Sequence, residues 1–412
     1  MKKLNLTIRS ILALCLCFAL LAGTACAEEI RLISTGCPDD AGYACTLPDG
    51  RLVLTGSKDV DEYYSMKAWV LCLNPDATAS WEIVDRDGNG HTAAGQAAVL
   101  PDGTLAVVFG RHEGLLRDCT IKFYTQDGQP TGRELALPHE CTVGDAGPSR
   151  LMLFVWDGKN TVRETVLIDW DGNELLRYDG MGIPGAYGRW IGNTDELVLI
   201  GQDAQENAHA KIMKMDGLTE QVLWETTLDW QMPDTDWASL WWGAKTSDGG
   251  YAAWLAEDTP LREDGSYDRN TFLVKFGADG SIQWMSRDSF EKKHMAVSRV
   301  FCWKGKIAVC CLPEEESPDG FDPWVFFWFD EDGNELGTTE VKLSAEDHPV
   351  MSRYLVPEDP ETKRSTGFYY DMPVSAGDGL WALAVYNMRD YRDAIFDLYE
   401  SREILLVRIP EP

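Results

Sequence analysis

A short turn rich in Asp and Gly, flanked by apolar strand-like runs, returns about every 50 residues along this chain, a period typical of repeat architectures. Leu47-Pro48-Asp49-Gly50 leads into RLVLTG, and Leu100-Pro101-Asp102-Gly103 into TLAVVFG. Ser247-Asp248-Gly249-Gly250 precedes YAAWLA, and Gly377-Asp378-Gly379 precedes LWALAV. A second series interleaves with the first: Asp171-Gly172-Asn173, Asp279-Gly280-Ser281 and Asp332-Gly333-Asn334. Gly takes positive φ without a Cβ penalty, so these pairs mark hairpin turns between strands.

The runs between the turns are short and rich in Val, Ile, Phe, Tyr and Trp, as strands are. Each repeat reads as four of them. In residues 236–288 the order is ASLWWGAK, turn, YAAWLA, a long polar stretch, TFLVKF, turn, IQWMSR. The second strand recurs as RLVLTG, TLAVVFG, RLMLFVW, ELVLIG, YAAWLA, KIAVCCL and LWALAVY. The third recurs as AWVLCLN, CTIKFYT, ETVLIDW, AKIMKM, TFLVKF, WVFFWF and EILLVRI. Every third strand but the last is followed by a fourth. The missing one has a candidate at the other end, where Glu29-Ile30-Arg31-Leu32-Ile33 stands before the first repeat. The expected fold is therefore all-β: a seven-bladed propeller over 28–412 of four-stranded blades, closed by the N-terminal strand pairing with EILLVRI. Such closure leaves only short, protected edges. A long sandwich or a β-helix is the alternative arrangement.

The stretch TSDGGYAAW…FLVKFGADGSIQW resembles the DGGY…KxxxxGxxxW unit of secreted bacterial β-propellers with degenerate repeats, and IDWDGNELLRY is similar to the outer-strand unit of quinoprotein-like propellers. The Gly-His and Trp-Asp signature of the WD40 class is absent. The resemblance implies an exported propeller scaffold.

The N-terminus agrees with export. Lys2, Lys3 and Arg9 precede an apolar run from Ile11 to Ala22, which ends at Ala25-Cys26-Ala27. That is the layout of a signal peptide over 1–27, cleaved after Ala27. The run is too short to span a bilayer, which takes about 20 apolar residues. Cys26 stands where a lipid-modified cysteine would, but Gly23-Thr24-Ala25 lacks the Leu expected three residues before it. The expectation is a secreted or extracytoplasmic monomer without an integral membrane segment.

With 67 acidic against 37 basic residues the net charge is −30. Such a field repels nucleic acid and anionic polymers. Eleven cysteines include three in the signal peptide. The others (Cys37, Cys45, Cys72, Cys119, Cys141, Cys302, Cys310 and Cys311) contain no C-x-x-C, and several sit in apolar runs as small hydrophobes. Their pairing is left open.

The strand order puts the short Asp-Gly turns on one face of the ring and the long connections on the other. Long loops on a rigid scaffold are where binding usually resides. They carry aromatics, among them Tyr267 and Trp230, which suit sugars or a protein anchor when they are not packed onto the ring. Three repeats carry a small residue followed by Arg near the first strand: Gly188-Arg189, Ser298-Arg299 and Ser352-Arg353. The matching positions in the first two repeats hold Tyr43 and Gln96. These residues are expected around the channel mouth, where guanidinium forks would bind a carboxylate or pair with neighbouring acids.

Asp85-Arg86-Asp87-Gly88-Asn89-Gly90 imitates the start of a calcium loop, but position twelve is Gln96 and no bidentate Glu follows. No metal site and no cofactor is expected. Thr246-Ser247-Asp248-Gly249-Gly250 partly matches a sialidase-type box. There is no H-E-x-x-H, G-x-S-x-G or P-loop, and the six histidines are scattered. The leading expectation is a non-enzymatic binding or interaction module whose partner is a glycan, a peptide or an envelope protein. The alternatives are a polysaccharide-active hydrolase or lyase, a quinoprotein-like enzyme, and a purely structural module.

Overall fold

The computed structural model describes residues 30–32, 39–60, 66–85, 91–113, 115–156, 162–179, 186–192, 194–203, 208–219, 221–232, 234–262, 267–290, 293–313, 323–341, 364–390 and 398–412. Among them are seven four-stranded antiparallel sheets, the blades of a propeller. The chain starts with β1 (Ile30–Leu32), which belongs to the last blade. Blade 1 is β2 (Asp39–Thr46), β3 (Leu52–Asp59), β4 (Met66–Leu73) and β5 (Ala79–Val84). Blade 2 is β6 (Thr92–Val99), β7 (Leu105–Glu113), β8 (Leu115–Tyr124) and β9 (Pro130–Ala136). Blade 3 is β10 (Cys141–Ala146), β11 (Arg150–Trp156), β12 (Val162–Asp169) and β13 (Glu174–Asp179). Blade 4 is β14 (Ala186–Trp190), β15 (Leu197–Asp203), β16 (Ala210–Met215) and β17 (Val222–Thr227). Blade 5 is β18 (Trp237–Lys245), β19 (Tyr251–Asp258), β20 (Arg269–Phe276) and β21 (Ile282–Met285). Blade 6 is β22 (Met295–Trp303), β23 (Lys306–Pro313), β24 (Trp324–Asp330) and β25 (Glu335–Val341). Blade 7 is β26 (Arg364–Ala376), β27 (Gly379–Asp390), β28 (Leu398–Arg408) and, as its outer strand, β1.

The expected closure is present. Ile30, Arg31 and Leu32 pair antiparallel with Val407, Leu406 and Leu405. The two chain ends thus share one sheet, and opening the ring requires stripping β1 from β28.

Apolar alternation along each strand supplies both faces of each blade, because a blade has a neighbour on either side. Each blade boundary accordingly holds one apolar cluster, seven among the described residues. Val53, Val70 and Cys72 of blade 1 meet Leu105 and Val107 of blade 2. Across the closing boundary, Leu52, Leu54 and Trp69 meet Trp381 and Leu406 of blade 7.

The Asp-Gly turns are joints between blades. Trp81 of β5 donates its indole N–H to Gln126 O in the β8–β9 turn of the next blade. Trp284 of β21 does the same to Glu331 O in the β24–β25 turn. Gly280 lies against Trp224 of the preceding blade so closely that an added Cβ would sit 2.3 Å from the ring, and its φ is +79°. Only glycine combines that approach with that backbone. Ser247, in the β18–β19 turn, donates to Glu331, so first–second and third–fourth turns share one face as expected.

The described cysteines form no disulfide, five of them are buried, and Cys37 lies outside the described residues. Burial pushes Cys45 up to about 12 and Cys72 to about 11, so both stay protonated. Among the described residues no helix is long and apolar enough to cross a membrane.

Candidate ligand site at the axis of the ring

The innermost strand of each blade is paired on one side only, so its other edge faces the axis. Six of the seven carry a register shift. The breaks lie between Ala41 and Tyr43 in β2, Ala94 and Ala97 in β6, and Val143 and Asp145 in β10. They recur between Trp241 and Gly243 in β18, Val297 and Arg299 in β22, and Tyr370 and Met372 in β26. A bulge re-aims the side chains beside it, here at the channel wall.

The bulges define a belt. Tyr43 pairs with Thr55, Arg189 with Ile200 and Arg299 with Cys310. Thr55, Ile200 and Cys310 stand at one height, each three residues beyond the residue (Leu52, Leu197, Ile307) that pairs with the residue just before the turn opened by Asn74, Asp216 or Asp330. Trp242 occupies the bulge of β18 at nearly the same level, between the Trp241–Trp254 and Gly243–Ala253 pairs. Gln96 lies in the bulge of β6. Tyr43, Gln96, Arg189 and Arg299 thus stand on four inner strands, at or beside this level in the strand register. Arg353 lies outside the described residues. In blade 7 the bulge of β26 falls at Asp371-Met372.

Three contacts tie adjacent blades across the belt. Gln96 Nε2 donates to Tyr43 Oη at 3.3 Å and to Val143 O at 3.1 Å, linking blades 1, 2 and 3. Its Oε1 is buried without a hydrogen-bond partner. Between blades 5 and 6 the Arg299 guanidinium stands 4.8 Å from the centre of the Trp242 ring, in cation–π range. Tyr43 and Trp242 remain 41% and 39% exposed, among the most open aromatics described. Trp242 also has φ of +35°, a conformation a bulky residue rarely adopts. Holding it there costs on the order of 1–2 kcal/mol.

Trp242 escaped the sequence reading. Its signal was there: in SLWWG the apolar–polar alternation fails at Trp241-Trp242-Gly243. Adjacent large aromatics on one strand point to opposite faces unless a bulge intervenes.

Trp230 and Tyr267 do not join the belt. Trp230 lies in the connector after β17 and stacks on His209 at 4.4 Å with the rings 8° from parallel. Its ring also packs against the apolar cluster between blades 4 and 5. Tyr267 stands just before β20, 44% exposed, with the Arg269 guanidinium 5.2 Å from its ring. Both mark the long-loop rim of blade 5.

The other motifs are absorbed by the scaffold. Asp248 of the sialidase-like box accepts from fully buried Lys275 at 2.8 Å, Thr246 Oγ1 at 2.6 Å and the Gly250 N–H at 2.9 Å. Against the upward push of burial, these donors hold its carboxyl down to about 2. Residues 86–90 of the calcium-like turn lie outside the described residues, and Asp85 accepts from Lys122 at 2.5 Å. Among the described residues no group of His, Cys, Asp and Glu is arranged to hold a metal.

No protein-family model matches the chain, and no curated protein does. Solved structures with a related shape do. Drosophila Plexin A, in complex with Semaphorin 1b, is 8% identical, with a TM-score of 0.47 over 93% of this chain and 86% of that one. Acylaminoacyl peptidase of Pyrococcus horikoshii is 11% identical at a TM-score of 0.44; the match takes in 87% of this chain and 58% of that one. A Bacteroides caccae protein of unknown function is 14% identical at a TM-score of 0.34, over 61% of this chain and 82% of that one. Likeness at this level carries no functional information.

Proposed function

We propose that this chain is an exported binding propeller whose ligand is a neutral glycan, received at the belt from the long-loop end of the channel. The observation that carries the reading is Trp242: an open indole on a strained bulge, backed by the Arg299 guanidinium. Strain of this kind persists where the surrounding structure enforces it, and it clusters at ligand sites. An indole face suits the C–H face of a sugar ring, while Arg299, Tyr43 and Gln96 offer donors and acceptors for hydroxyls. The net charge of −30 disfavours an acidic polymer and the Arg299 guanidinium at the belt disfavours a cationic one, so a neutral chain is the matching class.

The test is titration of the mature protein with neutral oligosaccharides, β-linked gluco- and N-acetylchito-oligosaccharides among them, followed by tryptophan fluorescence and calorimetry. Trp242→Ala should weaken binding by about 3- to 10-fold, the worth of one aromatic contact. Arg299→Gln should weaken it less and leave the fold intact. Equal binding by Trp242→Ala and wild type, or binding of an envelope peptide in place of any glycan, would refute the assignment.

A further inference from the structure

On the short-turn side of the belt the channel widens into a cavity of about 360 Å³. Its wall comes from the inner strands of four neighbouring blades, with Ala44 and Thr46 of blade 1, Ala97 and Val99 of blade 2, Ala146 of blade 3 and Ser375 of blade 7. None of Tyr43, Gln96, Trp242 or Arg299 lines it. We propose that this cavity is a second binding site, for a single small neutral sugar entering from the Asp-Gly face.

Three features of the wall select that class. None of the lining residues is charged, so an ionic ligand would be desolvated there without a counter-charge. The volume falls at the low end of ligand pockets, about 300–1,000 Å³, which limits the guest to one or two rings. Two hydroxyls, of Thr46 and Ser375, stand in an otherwise apolar wall. Thr46 Oγ1 donates to Ser375 O at 2.9 Å and lies 3.1 Å from Ser375 Oγ, next to Val99 and Val374. The inner edges of β2, β6, β10 and β26 add backbone N–H and C=O groups that no fifth strand covers. Hydroxyls both donate and accept, so a sugar satisfies such a mixed edge in several orientations. An extended peptide needs a run of matched register along one edge, and the bulges in these four strands interrupt that run.

Small side chains hold the space open. Ala44, Ala97 and Ala146 occupy positions where larger residues would close the channel. The site therefore predicts its own blocking variant. Thr46 is exposed at the rim, so Thr46→Trp fills the cavity without disturbing the core, and Thr46→Val removes only the hydroxyl.

The experiment is saturation-transfer NMR on the mature protein with D-glucose, N-acetyl-D-glucosamine and methyl α-D-mannoside, using D-glucuronate and Gly-Ser-Gly as comparison probes. At least one neutral sugar should bind with Kd in the millimolar range or tighter, about −4 kcal/mol. Trp242→Ala, which removes the belt's aromatic contact, should keep a neutral-sugar signal; on that background Thr46→Trp should abolish it and Thr46→Val should weaken it several-fold. Complete loss in Trp242→Ala would place the sugar in the belt and overturn the second site. So would a signal that survives in the Trp242→Ala/Thr46→Trp double variant, tighter binding of glucuronate or the tripeptide, or no neutral sugar bound at about 10 mM. A belt that fails its own oligosaccharide test leaves this result standing, because the two sites share no residue.

Discussion

Removing the charge of Glu196 should loosen the joint between blades 4 and 5, and the effect should vanish in acid. Glu196 lies in the turn before β15 and gathers three donors. Lys214 Nζ of its own blade donates at 2.7 Å, Lys245 Nζ of blade 5 at 2.8 Å, and the Tyr251 hydroxyl of blade 5 at 2.9 Å. Burial pushes the carboxyl up, but the two ammonium groups and the phenol outweigh it and hold the pKa at about 2, down from 4.5. Taken whole, that shift corresponds to roughly 3 kcal/mol, at 1.36 kcal/mol per unit. Solvent screens part of it, so about 1–2 kcal/mol is the expected contribution. The folded pKa is the lower one. The contribution is therefore complete above about 4.5 and is lost as pH falls towards 2. Glu196→Gln should lower the unfolding free energy by about 1–2 kcal/mol at pH 7, and the gap to wild type should close near pH 2. Urea unfolding followed by tryptophan fluorescence at pH 7, 4 and 2.5 measures this. An equal gap at every pH would mean that Glu196 acts through packing and not charge. No gap at pH 7 would remove the ionic joint altogether. A double-mutant cycle with Lys245→Met separates the inter-blade share from that of Lys214.

Further outcomes follow from the turns, the closing strand and the connectors. Gly280→Ala forces a Cβ to within 2.3 Å of Trp224 at positive φ, and should cost about 2–3 kcal/mol in urea unfolding. Gly217→Ala, with nothing within 4 Å of the added Cβ, should stay within about 0.5 kcal/mol of wild type. A chain beginning at residue 36 lacks β1 and its three paired residues; it should lose about 2–4 kcal/mol in the same assay relative to one beginning at residue 28. Glu257 is fully buried and accepts the Gln231 and Met232 N–H groups at 2.7 and 3.0 Å, fastening the connector that carries Trp230. Glu257→Ala should cost about 2–3 kcal/mol by orphaning both donors, and Glu257→Gln about half that. Burial raises the Glu257 pKa although the two N–H groups oppose it, so its ionisation weighs against the fold as pH climbs past the ordinary Glu range. Glu257→Gln should flatten that stretch of the stability–pH profile.

The blades were legible because their determinants are local. Asp-Gly turns and β-branched runs specify hairpins within a few residues, and seven such sets leave one third strand without a partner. That arithmetic alone located β1. The belt was only half legible. Gly42-Tyr43, Gly95-Gln96 and Ser298-Arg299 look alike because each marks a bulge. A bulge also depends on how seven sheets meet at an axis, which no single repeat encodes. Ser352-Arg353 has the same local look and lies outside the described residues. Trp242 departs from the small-residue pattern, although it is exposed and sits at positive φ on the bulge of β18.

The recurring acidic turns look like sites for metal or catalysis until their hydrogen bonds are traced. Asp169 Oδ1 accepts the Asp171 and Asn173 N–H groups, and its Oδ2 accepts Asn173 Nδ2. Asp330 repeats the pattern with Asp332 and Asn334, and Asp102, Asp216 and Asp279 each accept an N–H two residues on. An Asx turn of this kind uses the carboxylate as a third anchor for the backbone. The charge is favoured in the folded chain: hydrogen bonds lower the carboxyl pKa at Asp102, Asp169, Asp216, Asp279 and Asp330. A lowered pKa means that these turns tighten above the ordinary Asp range and slacken as pH falls through the depressed values. The same turns seat the tryptophans of neighbouring blades, as Gly280 seats Trp224. Acid should therefore release the short-turn face before the apolar clusters between blades. The cavity guarded by Thr46 and Ser375, which opens on that face, should lose its sugar at a higher pH than the one at which the blades separate.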